Sequence, residues 1–286
     1  MVGRSAVADP LGATHLRVMD RLRQILNLVL IPLGIVLAFT PFTAANVGDS
    51  ATRGPDPALV AAGYAFSIWS LIFLWQLVYA VWQVLPAQRT RPALRSAGWW
   101  TALNGALNGA WSLAVVNDQQ TLSWLLIVGM LGVLIAVERA TWRSAPLTVQ
   151  EHWLLRVPYG VNLGWISVAT LLSTSIFLQN EVGWNGAPLT PEAWGAILVV
   201  VAAALALASL LWRRGFAFAL TLIWALVAIA VGTRADAPGI ALTAAVAALL
   251  VGVGTAAAWV RRDRLPTPGS KAKGSRKGRA PSASGR

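Results

Sequence analysis

The chain has 286 residues, of which 56% are apolar and only 12% charged, and its mean hydropathy is +0.61. So few charges cannot cover a soluble globule of this size, so the chain reads as an all-α membrane protein. The net charge of +12 reflects where the arginines fall rather than nucleic-acid binding, and the absence of cysteine removes disulfides, thiolate catalysis and cysteine metal sites.

A spanning helix needs roughly 20 mostly apolar residues. Eight stretches qualify, at about 24–42, 60–85, 97–116, 120–142, 157–178, 193–212, 215–233 and 238–260. Residues 1–23 form an N-terminal segment before the first span. Ala44-Ala45 offers a passable signal-cleavage site, but the polar lead is overlong and the apolar run long enough to span, so no cleavage is expected. Pro32 lies inside the first span and is expected to kink it. In the loop 43–59, Asp56-Pro57 reads as an N-cap with Pro at N1, starting the second span.

The second span is dense in aromatics, Tyr64, Phe66, Trp69 and Phe73. The third carries Asn104, Asn108 and Trp111 at spacings of four and three, which put them on one helix face. The fifth repeats the pattern with Asn162 and Trp165. Hydrocarbon offers an amide no partner, so these side chains are expected to face inward and join helices or line a pocket. Gly105-x-x-x-Gly109 permits close helix approach, and intramolecular packing is the expected use. Glu138, beside Arg139, Trp142 and Arg143, is expected to reach the inner interface. Pro158 sits in the expected first turn of the fifth span, where its missing N–H costs little. Thr190-Pro191-Glu192 reads as the cap of the sixth. Spans six to eight are rich in Ala, Leu and Val and poor in polar residues, so a site is expected among the first five.

With the N-terminus inside, all but Arg53 and Arg234 of the 23 Lys and Arg residues fall on inner segments. That pattern supports eight spans in a cytoplasmic membrane with both termini cytoplasmic. The tail, 261–286, has no apolar periodicity; it is expected to be disordered and attracted to anionic lipid. Most of the fifteen tryptophans lie near span ends, as interface anchors do. Trp69 and Trp165 lie roughly 13 Å and 12 Å from theirs, at about 1.5 Å per residue, too deep for that role. Catalytic constellations are missing: His15 and His152 lie far apart, and no lysine precedes Lys271. No enzyme, metal or cofactor is therefore expected.

Gly63-Tyr64-Ala65-Phe66-Ser67-Ile68-Trp69-Ser70-Leu71-Ile72-Phe73 resembles the second-helix motif of the tryptophan-rich sensory protein family, also called the translocator or peripheral benzodiazepine receptor family. The run from Leu103 through Asn108 to Trp111-Ser112 is similar to its third-helix motif. Val157-Pro158-Tyr159 with Leu163 to Thr170 resembles its fifth-helix signature. The resemblance implies a five-helix bundle over 24–180, with three further helices over 181–260 as in the family's longer branch. It also implies homodimers and a pocket for porphyrin- or sterol-like ligands, in a sensory or regulatory role. Some members are reported to degrade bound protoporphyrin in light; the alternative role is transport of a small hydrophobic molecule. Carried onto matching positions, Trp69 and Trp165 would be the pocket tryptophans, with Asn108 and Trp111 on the third-helix wall. The ligand-binding set expected is Tyr64, Phe66, Trp69, Phe73, Asn104, Asn108, Trp111, Asn162 and Trp165. The family's Trp- and Pro-rich stretch before the second helix is replaced here by Ala58-Leu59-Val60-Ala61-Ala62, and extra residues separate Tyr159 from Trp165.

Overall fold

The computed structural model describes residues 10–39, 59–144, 146–213 and 215–262. The loop 43–59, apart from Leu59, and all but the start of the basic tail lie outside these residues. All regular structure among the described residues is helical. The long helices are α1 (Pro10–Phe39), α2 (Ile68–Trp82), α3 (Pro92–Val116), α4 (Gln120–Arg143), α5 (Val157–Asn180), α6 (Pro191–Arg213), α7 (Phe216–Gly232) and α8 (Pro238–Arg262). Six of these segments are long and apolar enough to cross a membrane. The two that fall short are α3, whose hydropathy is lowered by Thr101, Asn104, Asn108 and Ser112, and α7, an apolar helix of 17 residues.

The first five helices close a ring. Helix α1 packs on α2 and α3, α3 on α4, α4 on α5, and α5 back on α2. Helices α6, α7 and α8 form a second group that leans on α5 through α7. Helices α1 and α2 run antiparallel, since Gln24 meets Gln83 while Phe39 meets Phe73, and so do α3 and α4, where Ser96 near the start of one meets Ser144 just past the end of the other. Among the described residues, Arg234 is therefore the one basic side chain at the end carrying the α3–α4 turn; the other arginines gather at the opposite end.

Glycine sets the closest crossings. A Cβ on Gly34 would lie 2.0 Å from the Gly105 carbonyl oxygen, and one on Gly109 would lie 3.1 Å from the Gly34 Cα. The Gly105/Gly109 pair thus serves α1–α3 packing inside the chain, as expected from its spacing. A Cβ on Gly164 would meet Thr221 at 2.9 Å, and one on Gly232 the Val60 carbonyl oxygen at 2.4 Å. These contacts draw α7 onto α5 and onto the segment leading into α2.

Four local expectations need correction or confirmation. Helix α1 begins at Pro10, well before position 24, because Asp20, Arg23 and Gln24 find partners on the neighbouring helices. The cap expected at Asp56-Pro57 lies outside the described residues; residues 59–62 are not helical, and a 3₁₀ turn, Gly63–Ser67, precedes α2. Ala62 N–H is instead spent on the Ala228 carbonyl of α7, at 2.9 Å. Pro158 is the second residue of α5, in its first turn as expected, but the helical path does not begin there. A capping box at Thr148 and Glu151 starts the helix earlier, and a π turn, His152–Arg156, leads straight into α5. Proline lacks the N–H donor and its ring crowds the carbonyl four residues back; the wider π turn just before Pro158 eases both. The Thr190 cap is present, its Oγ1 accepting from Ala193 N–H at 3.2 Å.

Candidate functional site

The aromatic residues of α2, α3 and α5 meet inside the five-helix ring. Trp69 stacks on Phe73 at 5.0 Å and on Trp111 at 6.1 Å, and presents an edge-on contact to Trp165 at 6.4 Å. Phe66, delivered by the 3₁₀ turn, sits edge-on to Trp165 at 5.7 Å. Rings in offset or edge-to-face arrangements gain about 0.5–1.5 kcal/mol beyond their burial. Phe66, Trp69, Trp111 and Trp165 line a cavity of about 190 Å³. Its remaining wall is Val115, Ser123, Ile127, Ala169, Leu172, Ser173 and Ile176. The mouth lies at the α3–α4 turn and the end of α5, where Asp118, Gln119, Gln120, Asn180 and Glu181 border it. Trp165 is 5% exposed, and its indole N–H is buried with no partner.

Beneath the aromatic cluster lies a buried amide layer. Asn104 Oδ1 accepts from Asn162 Nδ2 at 3.1 Å and from Gln76 Nε2 at 3.4 Å. Asn104 Nδ2, Asn108 Nδ2 and Asn162 Oδ1 are buried without partners. A second layer follows toward the arginine-rich end. Thr101 donates to Asn27 Oδ1 at 2.6 Å and contacts the Tyr79 hydroxyl at 3.1 Å, while Asn27 Nδ2 donates to the Gly98 carbonyl at 2.7 Å. Beyond it, Gln24 and Gln83 exchange amide bonds with each other's backbone carbonyls. Arg23, 1% exposed, donates to the carbonyls of Leu94 and Arg89 at 3.0 and 2.8 Å. An Asp20–Arg95 ion pair closes the stack. Hydrogen-bonded side chains thus fill the ring below the aromatics, and the cavity opens at one end.

The nine residues singled out from the sequence divide three ways. Phe66, Trp69, Trp111 and Trp165 line the cavity. Phe73, Asn104, Asn108 and Asn162 are buried nearby without lining it. Tyr64 is exposed and lies edge-on to Trp224 of α7 at 5.3 Å, outside the ring. Sequence reasoning missed the aliphatic wall and the polar mouth. It also missed Gln24, Asn27, Gln76 and Gln83, amides in apolar runs that each bond across to another segment. Of the tryptophans read as interface anchors, Trp100, Trp142, Trp153, Trp212 and Trp259 are exposed. Trp124 differs: it stacks on Phe177 at 4.3 Å and donates to Thr174 at 3.0 Å, joining α4 to α5. Trp82 is buried. Glu138 lies 3.8 Å from Arg156 at the arginine-rich end.

Comparison with known proteins gives one positive result. Neither curated proteins nor solved structures yield a match. The family model described as TSPO-like protein matches residues 22–257, which takes in the ring and nearly all of the three further helices. The chain is an all-helical membrane protein that belongs to the TSPO-like family.

Proposed function

We propose that the protein binds a large, flat, apolar ligand of the tetrapyrrole or sterol class in the tryptophan-lined cavity, in a sensory or regulatory role. The observation that carries this reading is the convergence of Trp69, Trp111, Trp165 and Phe66 on one cavity, with a buried indole N–H left unpartnered. Ring faces and edges offer a flat ligand stacking surface, and the N–H offers it a hydrogen bond. At about 190 Å³ the cavity is smaller than the roughly 300–1,000 Å³ usual for such sites. A macrocycle therefore enters edge first, with the remainder at the mouth, or the rings move apart to admit it.

In this reading all eight helices cross the membrane, with the arginine-rich end and both termini on the cytoplasmic side. Helix α7, at about 1.5 Å per residue, reaches roughly 26 Å and crosses with little tilt. The test of binding is tryptophan fluorescence of the detergent-purified protein titrated with the neutral dimethyl ester of protoporphyrin. Saturable quenching that weakens in Trp165→Phe is expected. Quenching that rises linearly, or that Trp165→Phe leaves unchanged, contradicts the assignment. Flux of the ester across proteoliposomes containing the protein would move the role from sensing to transport.

A further inference from the structure

The border of the cavity has a charge as well as a shape. Asp118 and Glu181 both lie on it, and none of its lining residues is Lys, Arg or His. Glu181 is held across the mouth by Thr121, whose hydroxyl donates to Oε2 at 3.3 Å. Asp118 is placed by the α3–α4 turn in the left-handed region, at φ 52°. The other charged side chains on described turns at this end, Glu192, Asp236 and Arg234, leave its net charge negative. The deep end has a different character. Trp69 and Trp111 lie within 28° of parallel, and the unpartnered Trp165 N–H is available to an acceptor or a π face. Seven residues, or about 10 Å of helix rise, separate Trp111 from Asp118.

We infer that the cavity selects flat aromatic ligands bearing a cationic arm, the ring system lying among the tryptophans and the cation reaching Asp118 and Glu181. This rests on the proposed binding of a flat ligand in the same cavity, and it adds which charge that ligand carries. The indole faces favour a cation passing over them. The two carboxylates favour it at the mouth and repel a ligand that presents carboxylates there.

The test uses the full-length protein in neutral-lipid nanodiscs and three probes of one shape. Each is pyrene with a four-carbon arm, ending in trimethylammonium, hydroxyl or carboxylate. Energy transfer from tryptophan to pyrene reports binding. Transfer that saturates, and that Val115→Trp abolishes by filling the cavity, places the probe there. The cation is expected to bind about fivefold tighter than the alcohol, and the carboxylate weaker than both, as two exposed ion pairs allow. The preference should shrink below twofold in Asp118→Asn/Glu181→Gln, and also in high salt. Asn tolerates the left-handed conformation, so the first substitution keeps the turn. Saturable binding of all three probes with equal affinity overturns the charge selection and leaves the site standing. So does a cation preference that survives the double substitution. If no probe gives saturable transfer sensitive to Val115→Trp, the site itself is wrong and the selection falls with it.

Discussion

Asn104 shows how one side chain organises the interior. Its Oδ1 accepts from α2 through Gln76 and from α5 through Asn162, so a single α3 residue ties three helices together. Removing that acceptor leaves two buried amides unpaired. Such losses cost about 0.6–2 kcal/mol in membrane bundles and about 1–3 kcal/mol per orphaned group elsewhere. Asn104→Leu is therefore expected to lower the thermal midpoint of the purified protein by several degrees. A midpoint unchanged within error would show that the amide layer does not hold the ring. The spacing of Asn104, Asn108 and Trp111 was legible in the sequence as one inward stripe. Its division was not: the tryptophan reaches the cavity while the asparagines stay in the layer below. Spacing fixes a face of a helix, whereas depth and partner depend on how neighbouring helices are shifted. The same limit hid Gln76 and Asn27, whose partners Asn104, Gly98 and Thr101 all lie on α3.

At the scale of elements, the α1–α3 crossing is governed by what is missing. Gly34 and Gly105 approach so closely that a methyl group on Gly34 would overlap the Gly105 carbonyl, and both sides of that contact are backbone. Gly34→Ala must push the helices apart and is expected to cost about 1–3 kcal/mol, the usual range for overpacking. Gly132→Ala is the matched control, since nothing lies within 4 Å of its Cβ position; it should be neutral or mildly stabilising. Thermal unfolding of the two variants side by side checks this, and equal midpoints would contradict the crossing. Gly105 and Gly109 announced a close approach in the sequence, but their partner could not be named. A lone Gly34 in an apolar run carries no such signal. The π turn before Pro158 was equally hidden, because a proline marks a disturbance without saying which backbone turn absorbs it.

For the whole molecule, the three C-terminal helices are tied to the cavity through one short segment. Ala62 N–H and the Ala65 carbonyl are bonded to α7, the latter through the Trp224 indole at 3.1 Å, and this segment delivers Phe66 and Trp69. Gly232→Ala would place a methyl group against the Val60 carbonyl. It is expected to displace that segment and weaken ligand binding severalfold while α6, α7 and α8 stay folded. Retained helical circular dichroism beside a raised Kd checks it; an unchanged Kd would show that the extra helices do not shape the site. The all-helical, membrane character was the most legible feature, because apolar run length is a property of the sequence itself; the proposed orientation rests on arginine placement. Single cysteines in this cysteine-free chain test it directly. Ala87→Cys should react with an impermeant maleimide from the cytoplasmic side and Gln119→Cys from the other.

The central claim is that a flat apolar ligand sits among Trp69, Trp111 and Trp165, and photolabelling locates it most directly. A flat, neutral, diazirine-bearing aromatic probe is irradiated with the intact protein in nanodiscs, and labelled residues are identified by mass spectrometry. The account predicts saturable labelling of the cavity wall, at Val115, Ile127, Ala169 or Leu172, competed by unlabelled probe. Labelling confined to the apolar groove between α7 and α8, at Ile223, Val227, Leu249 or Val253, would contradict it.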